Sequence, residues 1–395
     1  MLHFAALPAK IKYPSESEGT TMKNILVIGA GKIGAVVADL LGHAQPAAGG
    51  AYRIVLADHS TQLLAEFGAR PHRASRVSTL ALDVTDRAAL RAALVGQFAV
   101  LSAAPYHLTV AVAEAAREVG VHYLDLTEDV ASTRRIREIA SGASTAFIPQ
   151  CGLAPGFISI VAADLASRFD RLDSMRLRVG ALPAYPSNTL NYNLTWSTDG
   201  VINEYCEPCE AIVDGELRQV PALEEREEFS LDGVLYEAFN TSGGLGTLCE
   251  TLAGKVRTLN YRTIRYPGHA AIMKTLLNDL RLRDRRNLLK DILEQAVPAT
   301  LQDVVVIFVT ASGVKDGRLL QETYVRKVYA QVMHGTLRSA IQVTTASSLA
   351  AMLDLLAQGR LPQAGFLRQE QLALDDFLAN RFGRVYGAEA MVKAA

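Results

Sequence analysis

The chain has 395 residues, of which 49% are hydrophobic and 21% charged, and its formal net charge is -1. This composition is typical of a globular protein with two or three domains. The near-neutral charge gives no electrostatic reason to expect nucleic acid or an anionic membrane as a partner, and no apolar run approaches the roughly 20 residues that span a bilayer. The four cysteines make no disulfide framework, and the lone pair Cys206 and Cys209 lacks further zinc ligands, so we expect a cytoplasmic protein without a metal site.

The N-terminal third of the chain alternates strand-like and helix-like segments. Residues 1–21 make a poor signal peptide and are expected to form a disordered extension. Over residues 22–155, amphipathic stretches separate the apolar runs "NILVIG", "YRIVLAD", "VSTLALD", "AVLSAAP", "HYLDL" and "STAFIPQ". This alternation predicts an α/β fold with a doubly wound parallel sheet, the Rossmann arrangement that binds dinucleotides.

The first strand runs directly into "GAGKIG", a G-x-G-x-x-G motif between a strand and a helix. Gly29 permits the tight turn, Gly31 lets the main chain approach a diphosphate, and Gly34 lets the helix pack against the strand. We therefore predict that the main-chain amides from Gly31 through Lys32 to Ile33 hold the diphosphate of a dinucleotide.

The ends of the next strands predict the remaining cofactor contacts. Asp58 ends the second strand, where a carboxylate accepts hydrogen bonds from the adenosine ribose. A 2′-phosphate would meet this charge, and no Arg or Lys follows directly in "ADHST", so the sequence favours NAD over NADP. Asp83, which ends the third strand, is a weaker candidate for the adenine end. The loop after the fourth strand is predicted to line the cofactor with Ser102, Ala103, Ala104 and Pro105.

In residues 156–345 the regular alternation of strand-like and helix-like segments ends. Long extended runs, "SMRLRVGAL", "KVRTLNYRTIRY", "DVVVIFVTASG", "RLLQETYVRKVYAQVM" and "TLRSAIQVTT", predict an α+β domain with a mixed or antiparallel sheet, and "VKDG" predicts a hairpin turn. From Ala346 the pattern becomes helical again, with a final helix around Leu372 to Phe382. We assign 156–345 to substrate binding and dimerisation, and 346–395 to a C-terminal helical segment.

A second glycine-rich run, "NTSGGLGTL", lies in this second domain at residues 240–248. It lacks the strand, G-x-G-x-x-G and helix order of a dinucleotide loop and has no lysine after its last glycine. Its small residues are therefore predicted to let the chain approach a bound substrate or the nicotinamide, rather than a phosphate.

Several motifs of this chain, in the same order, carry a resemblance to a known family. They are "PQCGLAPGF", "YNLTWSTDGVINEYCEP", "FNTSGGLGTL", "RTIRYPGHAAIMK" and "LPQAGFLRQEQL". From Lys23 to about Gly387 the chain resembles the saccharopine dehydrogenase-like family, and within it the lysine 6-dehydrogenase branch. The resemblance implies a homodimeric, NAD-dependent amino-acid dehydrogenase whose C-terminal helices return to the first domain. It also implies oxidative deamination of the terminal amine of L-lysine to aminoadipate semialdehyde.

That reaction needs a carboxylate anchor and a base near the reacting amine. Arg265 is predicted to clamp a carboxylate through paired hydrogen bonds. The catalytic candidates are Asp125 at the end of the fifth strand, Tyr106, and His269, where an apparent helix start lowers the pKa of the imidazole. Further substrate contacts are predicted at His107, Tyr192, Asn193, Thr241, Ser242, Gly243 and Lys274.

Two alternatives stay open at the level of the sequence. Cys151 stands where the lysine enzymes often have an acidic residue just before the "G-x-x-P-G" turn, which puts the substrate in doubt. A C–N oxidoreductase of the saccharopine or carboxynorspermidine dehydrogenase type would need more cationic clamps, for which Arg178 and Arg262 are candidates beside Arg265. A protein that senses NAD without turnover is the other alternative.

Overall fold

The computed structural model describes residues 22–47 and 50–387, so the extension expected over residues 1–21 lies outside the described residues. The strands in this part of the chain are β1 (Met22–Ile28), β2 (Ala51–Asp58), β3 (Val77–Ala81), β4 (Ala99–Ser102), β5 (His122–Asp125), β6 (Ala146–Ile148), β7 (Arg171–Pro183), β8 (Cys209–Val213), β9 (Glu216–Val220), β10 (Glu227–Leu231), β11 (Val234–Asn240), β12 (Thr258–Arg265), β13 (Asp303–Lys315), β14 (Arg318–Tyr329), β15 (Gln331–Met333), β16 (Thr336–Arg338) and β17 (Gly365–Phe366). The helices are α1 (Gly34–His43), α2 (Thr61–Gly68), α3 (Arg87–Leu94), α4 (Tyr106–Val119), α5 (Val130–Ala140), α6 (Phe157–Ala166), α7 (Thr198–Cys206), α8 (Leu248–Thr251), α9 (His269–Lys274), α10 (Arg286–Ala296), α11 (Ala340–Ala357) and α12 (Leu374–Ala379).

The first sheet has seven parallel strands in the order β17-β6-β5-β4-β1-β2-β3. The order reverses at β1, between β4 and β2, as in a doubly wound sheet. Helices cover both faces, and the central strand β1 is therefore fully buried from Ile25 to Val27. Asp86 caps α3 by accepting hydrogen bonds from the main-chain amides of Ala88 and Ala89.

The second sheet follows the path β10-β11-β12-β7-β13-β14, with β8 beside β12 and β9 beside β8. Only β12 and β7 run parallel, and the other pairs are antiparallel. Strands β13 and β14 form the predicted hairpin, which turns at Asp316 and Gly317 with left-handed backbone at both residues. The predicted fold class, a Rossmann domain joined to an α+β domain with a mixed sheet, is confirmed.

One predicted strand is wrong. The run "TLRSAIQVTT" is extended only at its first three residues, as β16, and α11 begins at Ala340 rather than at Ala346. A capping box explains the early start, because Ser339 and Gln342 satisfy each other's main-chain amides and so begin the helix. The final helix is also shorter than expected, since α12 ends at Ala379.

The C-terminal segment returns to the first domain. Helix α11 packs on α1 and on β13, and β17 adds an edge strand to the first sheet beside β6. Helix α11 is long and apolar enough to cross a bilayer, with 18 residues and a mean hydropathy of 1.4, but 83% of it is buried inside the protein. It is therefore a core helix that links the two domains.

Candidate active site

A cavity of about 450 Å³ lies between the two domains. The first domain contributes the glycine loop after β1 and the loops that follow β2, β4, β5 and β6. The second contributes β7, β12, α7 and α10, and α11 adds one more wall. The cavity thus lies at the carboxyl ends of the parallel strands and at the point where the strand order reverses, which is where α/β sheets bind ligands.

The glycine loop has the geometry of an anion site. Gly29 has a left-handed backbone, with φ of 100°, and a Cβ there would lie 2.7 Å from the carbonyl oxygen of Ala103. Gly31 has no atom within 4 Å of a virtual Cβ, so its main chain is open to the cavity. In the described part of the chain, no hydrogen bond uses the main-chain N–H of Gly31, Lys32 or Ile33. These free amides at the start of α1 fit the diphosphate of a dinucleotide.

The side chain of Asp58 connects the glycine loop to the end of β2. Its carboxylate accepts hydrogen bonds from the main-chain N–H of Ala30 at 2.6 Å and of Ser60 at 2.8 Å. The His59 imidazole lies 3.2 Å from the same carboxylate, and both residues line the cavity. Asp58 therefore has a structural function in addition to the predicted contact with ribose, which stays a prediction.

The other predicted cofactor residues divide into two groups. Ala103, Ala104 and Pro105 line the cavity together with the glycine loop. Ser102 is buried beneath them, and Asp83 is outside the lining, where it accepts hydrogen bonds from the amide and hydroxyl of Thr85. The positions of Ser102 and Asp83 do not support a cofactor contact.

Arg265, at the end of β12, is a buried cation that faces the cavity. Only 3% of the residue is exposed. Its Nε donates to the Tyr205 hydroxyl at 2.9 Å, and its Nη1 donates to Thr263 Oγ1 and to the Ile264 carbonyl, both at 2.8 Å. The guanidinium also lies 4.9 Å from the ring centre of Tyr192. No carboxylate within the described residues forms an ion pair with Arg265, so Nη2 and the positive charge are available to an anion in the cavity.

His269 lies outside the cavity lining and contacts Arg265 indirectly, through the Tyr205 hydroxyl. Its Nδ1 lies 2.9 Å from the Leu190 carbonyl, which can only accept, and its Nε2 lies 3.0 Å from the Tyr205 hydroxyl. Burial and the positive charge of Arg265 lower the pKa of His269 to about 3, so the ring is neutral and carries its proton on Nδ1. Tyr205 therefore donates to Nε2 and accepts from Arg265, which fixes the guanidinium.

The predicted reason for a neutral His269 was incomplete. Helix α9 does begin at His269, as expected, but burial and Arg265, rather than the helix terminus, account for the lowered pKa. His269 is 1% exposed as a residue, and both nitrogens of its ring have partners. These contacts favour a positioning role over the predicted catalytic role.

Two glutamates that the sequence analysis missed line the cavity near Arg265. Glu128 follows β5, and Glu204 lies on α7. Burial raises the pKa of Glu128 to about 7. Burial also raises the pKa of Glu204 to about 8, and the negative charge of Glu128 adds to that shift. Glu128 lies three residues beyond the end of β5, so the rule that parallel strands present functional groups at their carboxyl ends predicts it; no comparable signal marks Glu204.

The second glycine-rich run lies outside the cavity lining, which does not support its predicted approach to substrate or nicotinamide. Its close contacts are with protein. The main-chain N–H of Ser242 donates to the Glu204 carbonyl at 3.0 Å, and a Cβ on Gly243 would lie 2.3 Å from the Glu128 carbonyl oxygen. This loop therefore lies between the main chains of Glu128 and Glu204. Thr241, Ser242 and Gly243 are part of that support and lie outside the lining.

The predicted catalytic residue Asp125 is fully buried and also lies outside the lining. Its carboxylate accepts hydrogen bonds from the Tyr123 hydroxyl at 2.7 Å, the Thr127 amide at 3.0 Å and the Gln150 amide at 2.8 Å. Burial raises the pKa of Asp125 to about 6. These hydrogen bonds join the ends of β5 and β6, and they do not support the predicted catalytic role of Asp125.

The remaining substrate candidates are only in part near the cavity. Tyr106 lines it, whereas the adjacent His107 does not. Tyr192 is packed beneath the Arg265 guanidinium, and the Asn193 amide donates to the Pro298 carbonyl at 2.8 Å. Lys274 forms a surface ion pair with Glu224 at 2.8 Å, so the structure does not support its predicted contact with substrate.

Cys151 and the other two candidate arginines also lie away from the cavity. The Cys151 thiol is buried 3.0 Å from the Ile148 carbonyl, and burial raises its pKa well above the usual range. Arg178 pairs with Glu227 at 2.6 Å, and Arg262 pairs with the same carboxylate at 3.1 Å. Arg265 is therefore the one arginine among the described residues that lines the cavity.

Two family models and the structure of a saccharopine dehydrogenase agree with this architecture. The saccharopine dehydrogenase NADP binding domain matches residues 25–147, and the saccharopine dehydrogenase C-terminal domain matches residues 152–384. Among solved structures, the apo L-Glu-forming saccharopine dehydrogenase from Saccharomyces cerevisiae is 18% identical, with a TM-score of 0.69 over 88% of this chain and 94% of that chain. The C. glutamicum DAP dehydrogenase in complex with DAP is 12% identical, with a TM-score of 0.47 over 90% of this chain and 95% of that chain.

Proposed function

Because this chain belongs to the saccharopine dehydrogenase family, we propose that it is an NAD-dependent oxidoreductase that removes the side-chain amine of an amino acid. L-Lysine is the first candidate substrate, and aminoadipate semialdehyde is then the product. The family and the dinucleotide-binding fold establish the coarser statement, a nicotinamide-dependent oxidoreductase. The substrate class is the new part of the proposal and follows from the charges around the cavity.

The observation that supports the substrate class is the placement of Arg265, Glu128 and Glu204 on the lining of one cavity. Arg265 offers an unpaired guanidinium edge to the cavity, and a planar carboxylate is its natural partner. Glu128 and Glu204 line the same cavity and attract a cation, such as an ammonium group. An amino acid with one carboxylate and a side-chain amine satisfies all three residues.

The same charges argue against saccharopine as a substrate. A secondary amine with additional carboxylates needs additional cationic partners. Arg178 and Arg262 are both occupied by Glu227, and the Lys32 ammonium group on the cavity lining already donates to the main-chain carbonyls of Leu194 and Trp196. An extra carboxylate near Glu128 and Glu204 would be repelled. The arrangement therefore favours a primary amine over the alternative C–N oxidoreductase.

This chain's residues bind and orient the substrate in the proposed reaction. The Arg265 guanidinium holds the carboxylate, while the rings of Tyr192 and Tyr205 keep the guanidinium in place. When bound, a nicotinamide dinucleotide supplies the hydride acceptor. The substrate carbon loses hydride, and water then hydrolyses the resulting imine to an aldehyde and ammonia. Fixing the carbon in one orientation supplies much of the rate acceleration.

The test is NADH formation with L-lysine, saccharopine and 1,5-diaminopentane, a diamine without a carboxylate. We expect L-lysine to be the best of the three. In Arg265→Lys, the KM for L-lysine should rise by about 10- to 100-fold, since a hydrogen bond to a charged group contributes about 1.5–3 kcal/mol. Turnover of the diamine should stay unchanged.

Arg178→Lys is the matched control, because Arg178 is a buried arginine of the same sheet that lies outside the cavity. Its KM for L-lysine should equal that of the parent protein. Turnover of saccharopine but not of L-lysine would contradict the proposed substrate class. Binding of NAD without turnover of any amine would favour the sensor alternative.

A further inference from the structure

Glu128 and Glu204 place two carboxylates on the lining of one cavity, which is more than binding a single ammonium group requires. They come from different domains, and both line the cavity that Arg265 faces. Glu204 is 6% exposed, yet no hydrogen bond or ion pair to its carboxylate is found among the described residues. A buried carboxylate without a partner is costly, so this one is suited to receive a partner or a proton from a ligand.

We propose that Glu204 accepts the proton of the substrate's side-chain ammonium group while Glu128 binds the same group as a second carboxylate. This inference rests on the proposed function and names the base that the reaction needs. In the step, one N–H bond of the ammonium group breaks and the proton bonds to a carboxylate oxygen of Glu204. The nitrogen keeps the electron pair, which then assists the departure of hydride from the adjacent carbon.

The main chain around the two glutamates supports this pairing. The Ser242 amide holds the Glu204 carbonyl at 3.0 Å, and Gly243, with φ of 83°, lies directly against the Glu128 main chain. The loop between β11 and α8 therefore holds the two acidic residues from different domains at a set separation. This gives the second glycine-rich run a positioning role instead of a ligand contact.

The surroundings of the two carboxylates make them suitable for proton transfer near neutral pH. Burial raises the pKa of Glu128 to about 7 and that of Glu204 to about 8, and the negative charge of Glu128 contributes to the shift of Glu204. The charged or titratable groups that act electrostatically with Glu204 are Glu128, Arg265, Tyr192, Tyr205, Cys209 and Tyr261. Those that act with Glu128 are Asp125, Asp129, Tyr106 and Glu204.

The experiment is a pH profile of kcat/KM for NADH formation from L-lysine, measured for the parent protein, Glu204→Gln and Glu128→Gln. In the parent, kcat/KM should rise with pH through about 8, because Glu204 must be ionised to accept a proton. Glu204→Gln should lose about 10²- to 10⁴-fold in kcat, the usual contribution of a general base. Glu128→Gln should move the rise of the profile to lower pH, since removing the neighbouring charge lowers the pKa of Glu204.

Glu207→Gln is the control on the same segment. Glu207 follows α7, pairs with Arg286 at 2.6 Å and lies outside the cavity, so its profile should match that of the parent. NADH binding, followed by fluorescence, should be retained in all variants and shows that each is folded. Full activity in Glu204→Gln, or a profile that stays in place in Glu128→Gln, would overturn the assignment of the base. If the parent oxidises no amine at all, the proposed function itself is wrong.

Discussion

At the scale of single residues, the site combines charges that are individually unfavourable to bury. Arg265 is held by neutral partners, Tyr205 and Thr263, instead of by a carboxylate. Glu204 has the opposite charge and no hydrogen-bond partner among the residues that the structure describes. Each unpaired charge costs folding free energy, which is typical of residues kept for binding or catalysis.

The prediction at this scale concerns Asp58 and the preference for NAD over NADP. Its carboxylate lines the cavity and also accepts hydrogen bonds from Ala30 and Ser60, so Asp58→Ala would disturb the loop itself. Asp58→Asn removes the charge and retains the side chain's size. We expect the affinity ratio of NADP to NAD to rise at least about fivefold, because two like charges about 4 Å apart repel by about 1 kcal/mol even in water.

The measurement is titration of the protein with NADH and with NADPH. Any general damage to the loop weakens both cofactors alike, so the ratio isolates the charge. An unchanged ratio would count against the contact of Asp58 with the adenosine ribose.

At the scale of elements, the loop between β11 and α8 positions residues from both domains. Gly243 contacts the Glu128 main chain, and a Cβ on Gly244 would lie 2.3 Å from the Tyr261 ring. Such close approaches leave no space for a side chain. Gly243 and Gly244 therefore allow neighbouring elements to pack closely. Gly31 has no such contact and leaves the main chain open to a ligand.

Gly243→Ala tests the positioning by this loop. The added methyl group would push the loop away from Glu128, and a displacement of about 1 Å at the site lowers activity by up to 10²-fold. Gly254→Ala is the control, because Gly254 also has a left-handed backbone, with φ of 70°, but nothing lies within 4 Å of its virtual Cβ. Gly254→Ala should lose about 1 kcal/mol of stability from backbone strain, and Gly243→Ala should lose more, because the clash with Glu128 adds to the strain. Only Gly243→Ala should lower kcat/KM. Enzyme assays measure kcat/KM, and thermal unfolding measures the stability of both variants.

At the scale of the whole molecule, the C-terminal segment makes the domains depend on each other. Asp354 on α11 is fully buried and accepts hydrogen bonds from Tyr52 on β2 at 2.6 Å, Asn380 at 2.9 Å and Arg381 at 2.5 Å. The same helix reaches the glycine loop, where the Gln342 amide donates to the Lys32 carbonyl at 3.0 Å. The Lys32 ammonium group in turn donates to the Leu194 carbonyl of the second domain at 3.3 Å.

Asp354→Ala should therefore destabilise the whole chain and not one domain alone. Removing one partner of a buried ion pair leaves Arg381 uncompensated, and the expected loss is about 3–5 kcal/mol of unfolding free energy. Asp376→Ala breaks the exposed pair with Arg360 in the same segment and should lose less than about 1 kcal/mol. Denaturant unfolding measures both variants. Equal losses would show that the buried Asp354 cluster contributes no more to stability than an exposed ion pair.

The sequence by itself determined the features that depend on local pattern. Alternating strands and helices predicted the parallel sheet, the order of glycines located the loop at Gly29 to Gly34, and the motif order indicated the family, which the matches confirm. Local pattern is reliable here because strand periodicity, turns and helix starts depend on neighbouring residues.

Only the tertiary structure decided which polar side chains meet. Glu128 and Glu204 are 76 positions apart in the sequence, yet both line one cavity. Asp125 lies only three residues before Glu128, but its carboxylate accepts hydrogen bonds from main-chain amides and lies outside the lining. The role of His269 likewise depends on Tyr205 and Arg265, which reach it from other elements. Long-range packing sets burial, and burial sets both the pKa of a group and its access to a ligand, so no local pattern reveals them.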